Sequence, residues 1–272
     1  MTKEIVPETA EKEMSFLEHL EELRWHIIRS MVALLVAAIV IFSLKNLVFE
    51  KIIFAPKHDS FATYKFFCSI SDTTCFKPKE FKLITRTIGE QFFCHIKVSL
   101  WLALIFMFPY IFYEFWRFIK PGLYKNEKKA AGGMVFSCTT LFFLGVGFGY
   151  YVIVPFALNF LIGYSVGADA ISSPTLTSYV SYLTMCSIPT GFIFQLPVLV
   201  YFLSRIGFIT PGIMRRFRKH AIVVIVVLAA VITPPDVISQ FLIGIPVLLL
   251  YELSILISAR VEKKREKEFP AE

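Results

Sequence analysis

Long apolar runs separated by charged connections constrain this chain more than any single motif. A run of about 20 apolar residues matches the helix needed to cross roughly 30 Å of hydrocarbon at 1.5 Å per residue, and inside a bilayer the helix satisfies its own backbone polar groups. Six such spans are expected: Trp25 to Leu44, Val98 to Phe118, Ala130 to Val154, Tyr179 to Ser204, Lys219 to Thr233 and Val237 to Ile257. Composition agrees: 56% apolar residues, 29 Phe and a mean hydropathy of +0.65 exceed what a water-soluble core of this size requires. The expected fold is therefore all-α, a single integral membrane unit over residues 1–272.

The last two spans are short on this reading. Only about 13 apolar residues separate Lys219 from Thr233, or roughly 20 Å of helix, and Pro234-Pro235 stops it. Span six carries Gln240 and Pro246, and a locally thinned bilayer is expected around the pair.

Orientation follows from the basic residues, which favour cytoplasmic loops. With the N-terminus inside, 19 of the 28 Lys and Arg fall on that side. The other nine lie in the long 45–97 loop, which is external, and the two remaining external connections have none. Residues 1–24 then form a cytoplasmic N-terminal segment and 258–272 a cytoplasmic tail. No cleavable leader is read, so span one serves as a retained anchor.

The +7 net charge follows from this topology. Its basic residues are divided among short segments rather than gathered on a soluble domain, which disfavours nucleic acid as a partner. Five Cys without a CxxC, and no His at ligand spacing, suggest neither a metal nor another cofactor. Cys68 and Cys75 lie close enough in the external loop for a disulfide, with two free thiols as the alternative. No nucleophile–base pair or acid pair gathers at one depth. His19, His26, His58, His95 and His220 fall near span ends or outside, so the chain reads as a non-enzyme.

Phe16, Leu20, Leu23 and Ile27 share one helical face ahead of span one, an amphipathic interfacial helix. Its other side carries Glu18, Glu21, Glu22 and Arg24. These form either a solvated face with an Arg24–Glu21 pair or an acidic patch. Between spans two and three, Glu127 stands among Lys125, Lys128 and Lys129, where local charge balance is a sufficient account.

Several short motifs now align. They are His19-Leu-Glu-Glu-Leu-Arg24, Phe54-Ala-Pro56, Phe108-Pro109 with Tyr113, Trp116, Phe118, Pro121, Leu123, Tyr124, Lys125 and Glu127, Phe194-Gln-Leu-Pro197, and Thr233-Pro-Pro-Asp-Val-Ile-Ser-Gln240. Their order from Met14 to Arg260 resembles the TatC family, the polytopic subunit of the twin-arginine protein translocase. The resemblance implies six helices in a concave cup with both termini cytoplasmic, in a bacterial cytoplasmic membrane. It implies export of folded proteins driven by the proton-motive force, with TatA/TatB-type single-span partners and self-association in a larger complex. Glu22 and Glu127 would bind the two arginines of a signal peptide, with Arg24, Leu123, Phe118 and Tyr124 shaping the patch. Carboxylates suit this ligand because a guanidinium presents a planar fork of donors.

Polar groups within spans are costly and so invite a functional reading. Glu114 is explained by Arg117 one turn on, or by snorkelling. Glu252 has no basic residue within a turn, and both a structural and a functional role stay open. Gln195 corresponds to a family position often held by Glu, so direct proton coupling through a carboxylate there is unavailable. Thr233 and Gln240 correspond to the family's polar contact with partner helices, and bonding to backbone freed by Pro234 and Pro235 is the alternative. Gly145 and Gly149 read as close helix packing within the chain in preference to a dimer seam. Residues 57–90 exceed the usual family loop and are expected to form a small cap over the cup or to contact a partner. A proton- or ion-coupled transporter of a small solute is the competing function, weakened because no internal repeat is legible.

Overall fold

The computed structural model describes residues 16–71, 75–119, 133–164, 167, 173–232 and 237–268. Helices dominate them. The long elements are α1 (Phe16–Ser43), α4 (Glu90–Ile119), α5 (Met134–Phe148) continuing through a π-helical turn, Gly149–Ile153, into α6 (Val154–Gly163), α7 (Leu176–Ile193), α8 (Leu196–Ile206), α10 (Arg218–Ile232) and α11 (Val237–Glu268). Short helices α2 (Lys45–Val48), α3 (Ala62–Ile70) and α9 (Pro211–Arg216) fill connections.

Five helical segments among the described residues are long and apolar enough to span a membrane. The remaining expected span, the fifth, is α10, whose 15 residues reach roughly 22 Å, so the expectation of a short helix is met there. It is corrected for its neighbour. α11 runs 32 residues, through Pro246 and on to Glu268, so the expected tail at 258–272 is helical through Glu268. A proline removes one backbone bond and bends a helix without necessarily ending it. The amphipathic segment and span one likewise form one 28-residue helix.

α1 packs chiefly on α4, α4 on α5 and α7, α8 on α11, and α10 on α11. With α1 at one end of this series, only 17% of its apolar window is buried. Its outward face of Ile27, Met31, Val32, Leu35, Val36 and Ile39 is exposed. An all-apolar exposed helix face is stable in lipid, not in water.

The core is aromatic at one level and glycine-lined at the next. Phe108 stacks on Phe142 at 3.6 Å between ring centres, and Phe192 meets both edge-on. A Cβ on Gly145 would stand 2.8 Å from Gly191 Cα, and one on Gly149 would stand 2.5 Å from the Cys186 carbonyl oxygen. These glycines therefore let α5 and the π turn close on α7, which fulfils the packing reading of the GxxxG.

Prolines release carbonyls that hydroxyls then take up. Pro56 cannot donate to the Ile52 carbonyl one turn back, and Tyr150 Oη donates to it at 2.5 Å. Pro155 leaves the Tyr151 carbonyl in the same state, and Thr63 Oγ1 donates to that oxygen. Tyr64 and Tyr179 donate to Pro56 and Ile53 carbonyls at 3.0 and 2.8 Å. Four side-chain bonds thus fix the Phe54-Ala-Pro56 turn and the cap onto the helices. Burial, with Asp59 nearby, pushes the Tyr64 hydroxyl above the ordinary phenol range and keeps it a donor. Cys68 and Cys75 form the disulfide, closing the end of α3, and Phe67 and Phe76 pack on Phe156.

Glu90, at the start of α4, accepts from the Arg86 and Thr177 backbone N–H groups at 2.6 and 3.0 Å. It thereby caps the first turn of α7, whose N–H groups have no partner within the helix. An isolated parallel bridge between Ile84 and Thr175 lies alongside.

Candidate functional site

The His19–His26 face of α1 meets the end of α4. Phe118, in the last turn of α4, stacks on His19 at 4.3 Å with 17° between ring planes, and meets His26 edge-on at 6.2 Å. His19 and His26 are two turns apart on one face of α1, with Glu22 and Leu23 between them, so Phe118 sits against the stretch that carries Glu22. Leu123, Tyr124 and Glu127 follow α4 in the sequence and lie outside the described residues.

The carboxylates of α1 are not equivalent. Arg24 reaches Glu21 at 3.8 Å, with both side chains about two-thirds exposed, as expected for an i,i+3 pair. Such a pair contributes little, about 0–1 kcal/mol. Arg24 also lies 5.7 Å from the centre of the Trp25 ring. Glu22 is half-buried, and the ion pairs among the described residues do not include it.

One turn deeper lies a bond that the local pattern does not show. His26 Nδ1 donates to Glu114 Oε2 at 2.5 Å, with side chains only 12% and 4% exposed. Tyr110 faces the same carboxylate from one turn back. The expected Arg117 partner is corrected: α1 passes over this face of α4 and supplies His26, whereas i,i+3 geometry competes from the solvent side. An imidazole three residues beyond Leu23 on the apolar face was the signal available in the sequence.

The intramembrane polar residues are separated from this region. Gln195 sits where α7 breaks into α8, and its Nε2 donates to the Cys138 carbonyl on α5 at 3.1 Å. Its Oε1 is buried with no partner among the described residues. Glu252 takes Arg218 of α10 at 2.7 Å, with both side chains about half exposed. Its ion pair therefore crosses between helices, which the absence of a nearby base in α11 concealed. Gln240 Nε2 donates to the Val226 carbonyl at 3.3 Å, an intramolecular bond to α10. Thr233 lies outside the described residues.

Taken together, apolar spans, an exposed lipid-type surface and long helices packed side by side define a polytopic helical membrane protein. The family model of the Sec-independent protein translocase protein (TatC) matches residues 18–246. TatC of Blattabacterium from Periplaneta americana is 35% identical over 260 residues, covering 93% of this chain and 98% of the relative. TatC of Aquifex aeolicus is 36% identical, covering 93% and 98%. A crystal structure of the twin arginine translocase receptor TatC superposes with a TM-score of 0.71 at 36% identity, covering 90% of this chain and 99% of that one. The chain belongs to the TatC family of Sec-independent protein translocases, and the competing solute-transporter reading finds no support.

Proposed function

We propose that this chain is the receptor subunit of a twin-arginine translocase, sitting in a bacterial cytoplasmic membrane with both termini on the cytoplasmic side. It binds signal peptides of folded substrates through Glu22 and Glu127, with Arg24, Leu123, Phe118 and Tyr124 forming the walls of the patch. It works with single-span TatA/TatB-type subunits, which approach Thr233 and Gln240, in a self-associated complex driven by the proton-motive force.

One observation carries the reading: Phe118 stacks on His19, which joins the root of the Glu127 connection to the helix that presents Glu22. Two arginines in sequence need two anionic groups close together. A carboxylate at a partly dehydrated interface holds a guanidinium more tightly than one in water does. The amide at Gln195 leaves it a hydrogen-bonding role, since Gln has donors and acceptors but no titratable proton in this range.

Binding of a synthetic twin-arginine signal peptide to the purified chain in detergent tests this. The wild-type peptide is expected to bind, and the same peptide with both arginines changed to lysine is expected to bind at least tenfold more weakly. Equal binding of the two peptides defeats the receptor reading. Crosslinking from positions 22 and 127 to the peptide tests the assigned residues separately.

A further inference from the structure

A cavity lies at the far end of α1 and α4 from Glu22. Its volume is about 490 Å³, and it opens between the start of α2, the Phe49–Ile53 turn, the first turns of α4 and Leu176 at the start of α7. Phe49, Phe54, Phe92 and Leu83 give it an apolar wall, while Lys45, Thr85 and Gln91 give it a polar one. His95 also lines it, with a side chain fixed by stacking on Phe42 at 3.9 Å and by the edge of Phe49 at 5.4 Å.

From these residues we infer that the cavity is a binding site for an anionic phospholipid, with the headgroup phosphate at Lys45 and an acyl chain along the Phe92 wall. The inference does not depend on the receptor reading.

Charge is the first reason. Lys45 is exposed and takes part in none of the ion pairs among the described residues. Glu90, next to the lining residue Gln91, is turned to the N–H groups of Arg86 and Thr177, and Glu50, which follows the lining residue Phe49, is exposed to solvent. An anion therefore meets an ammonium, an amide and a hydroxyl, with the Glu90 carboxylate already engaged.

Position is the second. α1 ends at Ser43 and α4 begins at Glu90, so the cavity lies where hydrocarbon gives way to headgroups. There a ligand must be polar at one end and apolar at the other, and a free phosphate ion leaves the aromatic wall unused. Phe42 and Phe92 are exposed beside the opening, where an acyl chain would continue down the outer surface.

His95 supplies the third. Its ring is held flat against Phe42, and Nε2 is buried with no partner among the described residues. A buried polar atom without a partner is costly, and a hydroxyl-bearing headgroup brings a donor.

The test uses the full chain, stripped of lipid in detergent and titrated with phosphatidylglycerol, phosphatidylcholine or inorganic phosphate under native mass spectrometry. Phosphatidylglycerol is expected to be retained in preference to phosphatidylcholine. Lys45→Gln is expected to weaken its retention about fivefold, the effect of about 1 kcal/mol for one interfacial cation. Lys51→Gln, outside the cavity, is expected to leave retention unchanged. Equal retention of the two lipids, equal loss in both variants, an unaffected Lys45→Gln, or displacement of the lipid by inorganic phosphate at matching concentration would overturn the inference. Circular dichroism of Lys45→Gln establishes that its helices are intact before the comparison is made.

Discussion

His26 on α1 and Glu114 on α4, 88 residues apart in sequence, share a hydrogen bond of 2.5 Å in a nearly closed setting. The bond lies one turn below Glu22 and under Phe118, so it fixes the position of α1 against the helix end from which the Glu127 connection departs. α1 packs on α4 alone over most of its length and otherwise faces outward, so this bond is a polar tie within that one interface.

Removing one partner of this pair is expected to be expensive. Glu114→Ala leaves a buried imidazole without an acceptor and should lower stability by about 3 kcal/mol, the cost of breaking a buried pair from one side. Glu114→Gln keeps an acceptor and should cost about 1 kcal/mol. Denaturant unfolding in micelles, followed by tryptophan fluorescence, distinguishes the two. Similar losses for both variants would show that the bond is incidental to the packing.

The acidic face of α1 should respond unevenly to charge removal. Glu22→Gln is expected to weaken twin-arginine peptide binding about tenfold, in line with a charge-assisted hydrogen bond of about 1.5 kcal/mol. Glu21→Gln should change it by less than about twofold, because Glu21 is exposed and engaged with Arg24. Fluorescence anisotropy of a labelled peptide measures both. The reverse order would assign recognition to Glu21.

Gly149 and Gly147 offer a contrast within one helix. A methyl group at Gly149 meets backbone at 2.5 and 2.8 Å, whereas nothing lies within 4 Å of one at Gly147. Gly149→Ala should therefore push α7 away and cost about 1–3 kcal/mol, while Gly147→Ala should be neutral or slightly stabilising. Thermal unfolding reads the difference. Were the glycines a dimer seam instead, Gly149→Ala would alter the oligomer and leave the monomer's stability intact.

Reduction should loosen the cap without unfolding the helices. The Cys68–Cys75 bond closes a short loop, for which the chain-entropy model gives about 2–3 kcal/mol. Limited proteolysis in detergent with and without reductant is expected to show faster cleavage within residues 57–90 when the bond is broken. The Phe67 and Phe76 contacts to Phe156 should keep the segment attached, so unchanged cleavage would mean that the aromatic contacts alone order it.

The spans were legible because bilayer thickness acts on each segment separately: a run of apolar residues either reaches across or does not. The same rule marked α10 as short. It misjudged α11, where polar and proline residues look like an ending in the sequence but sit in a helix supported by α8 and α10 on its sides. Motif order carried the family, and through it the nomination of Glu22.

Tertiary structure decided the partners. Glu114 had Arg117 within a turn, and Glu252 had no cation within one, yet their partners are His26 and Arg218 from other helices. The carbonyls released by Pro56 and Pro155 were predictable, but the donors, Tyr150 and Thr63, come from distant segments. The physical division is one of range. Hydrophobic length and backbone bonding are local properties that a sequence displays directly, whereas the pairing of a buried polar group depends on which helix face arrives beside it, and that is settled only when the helices pack.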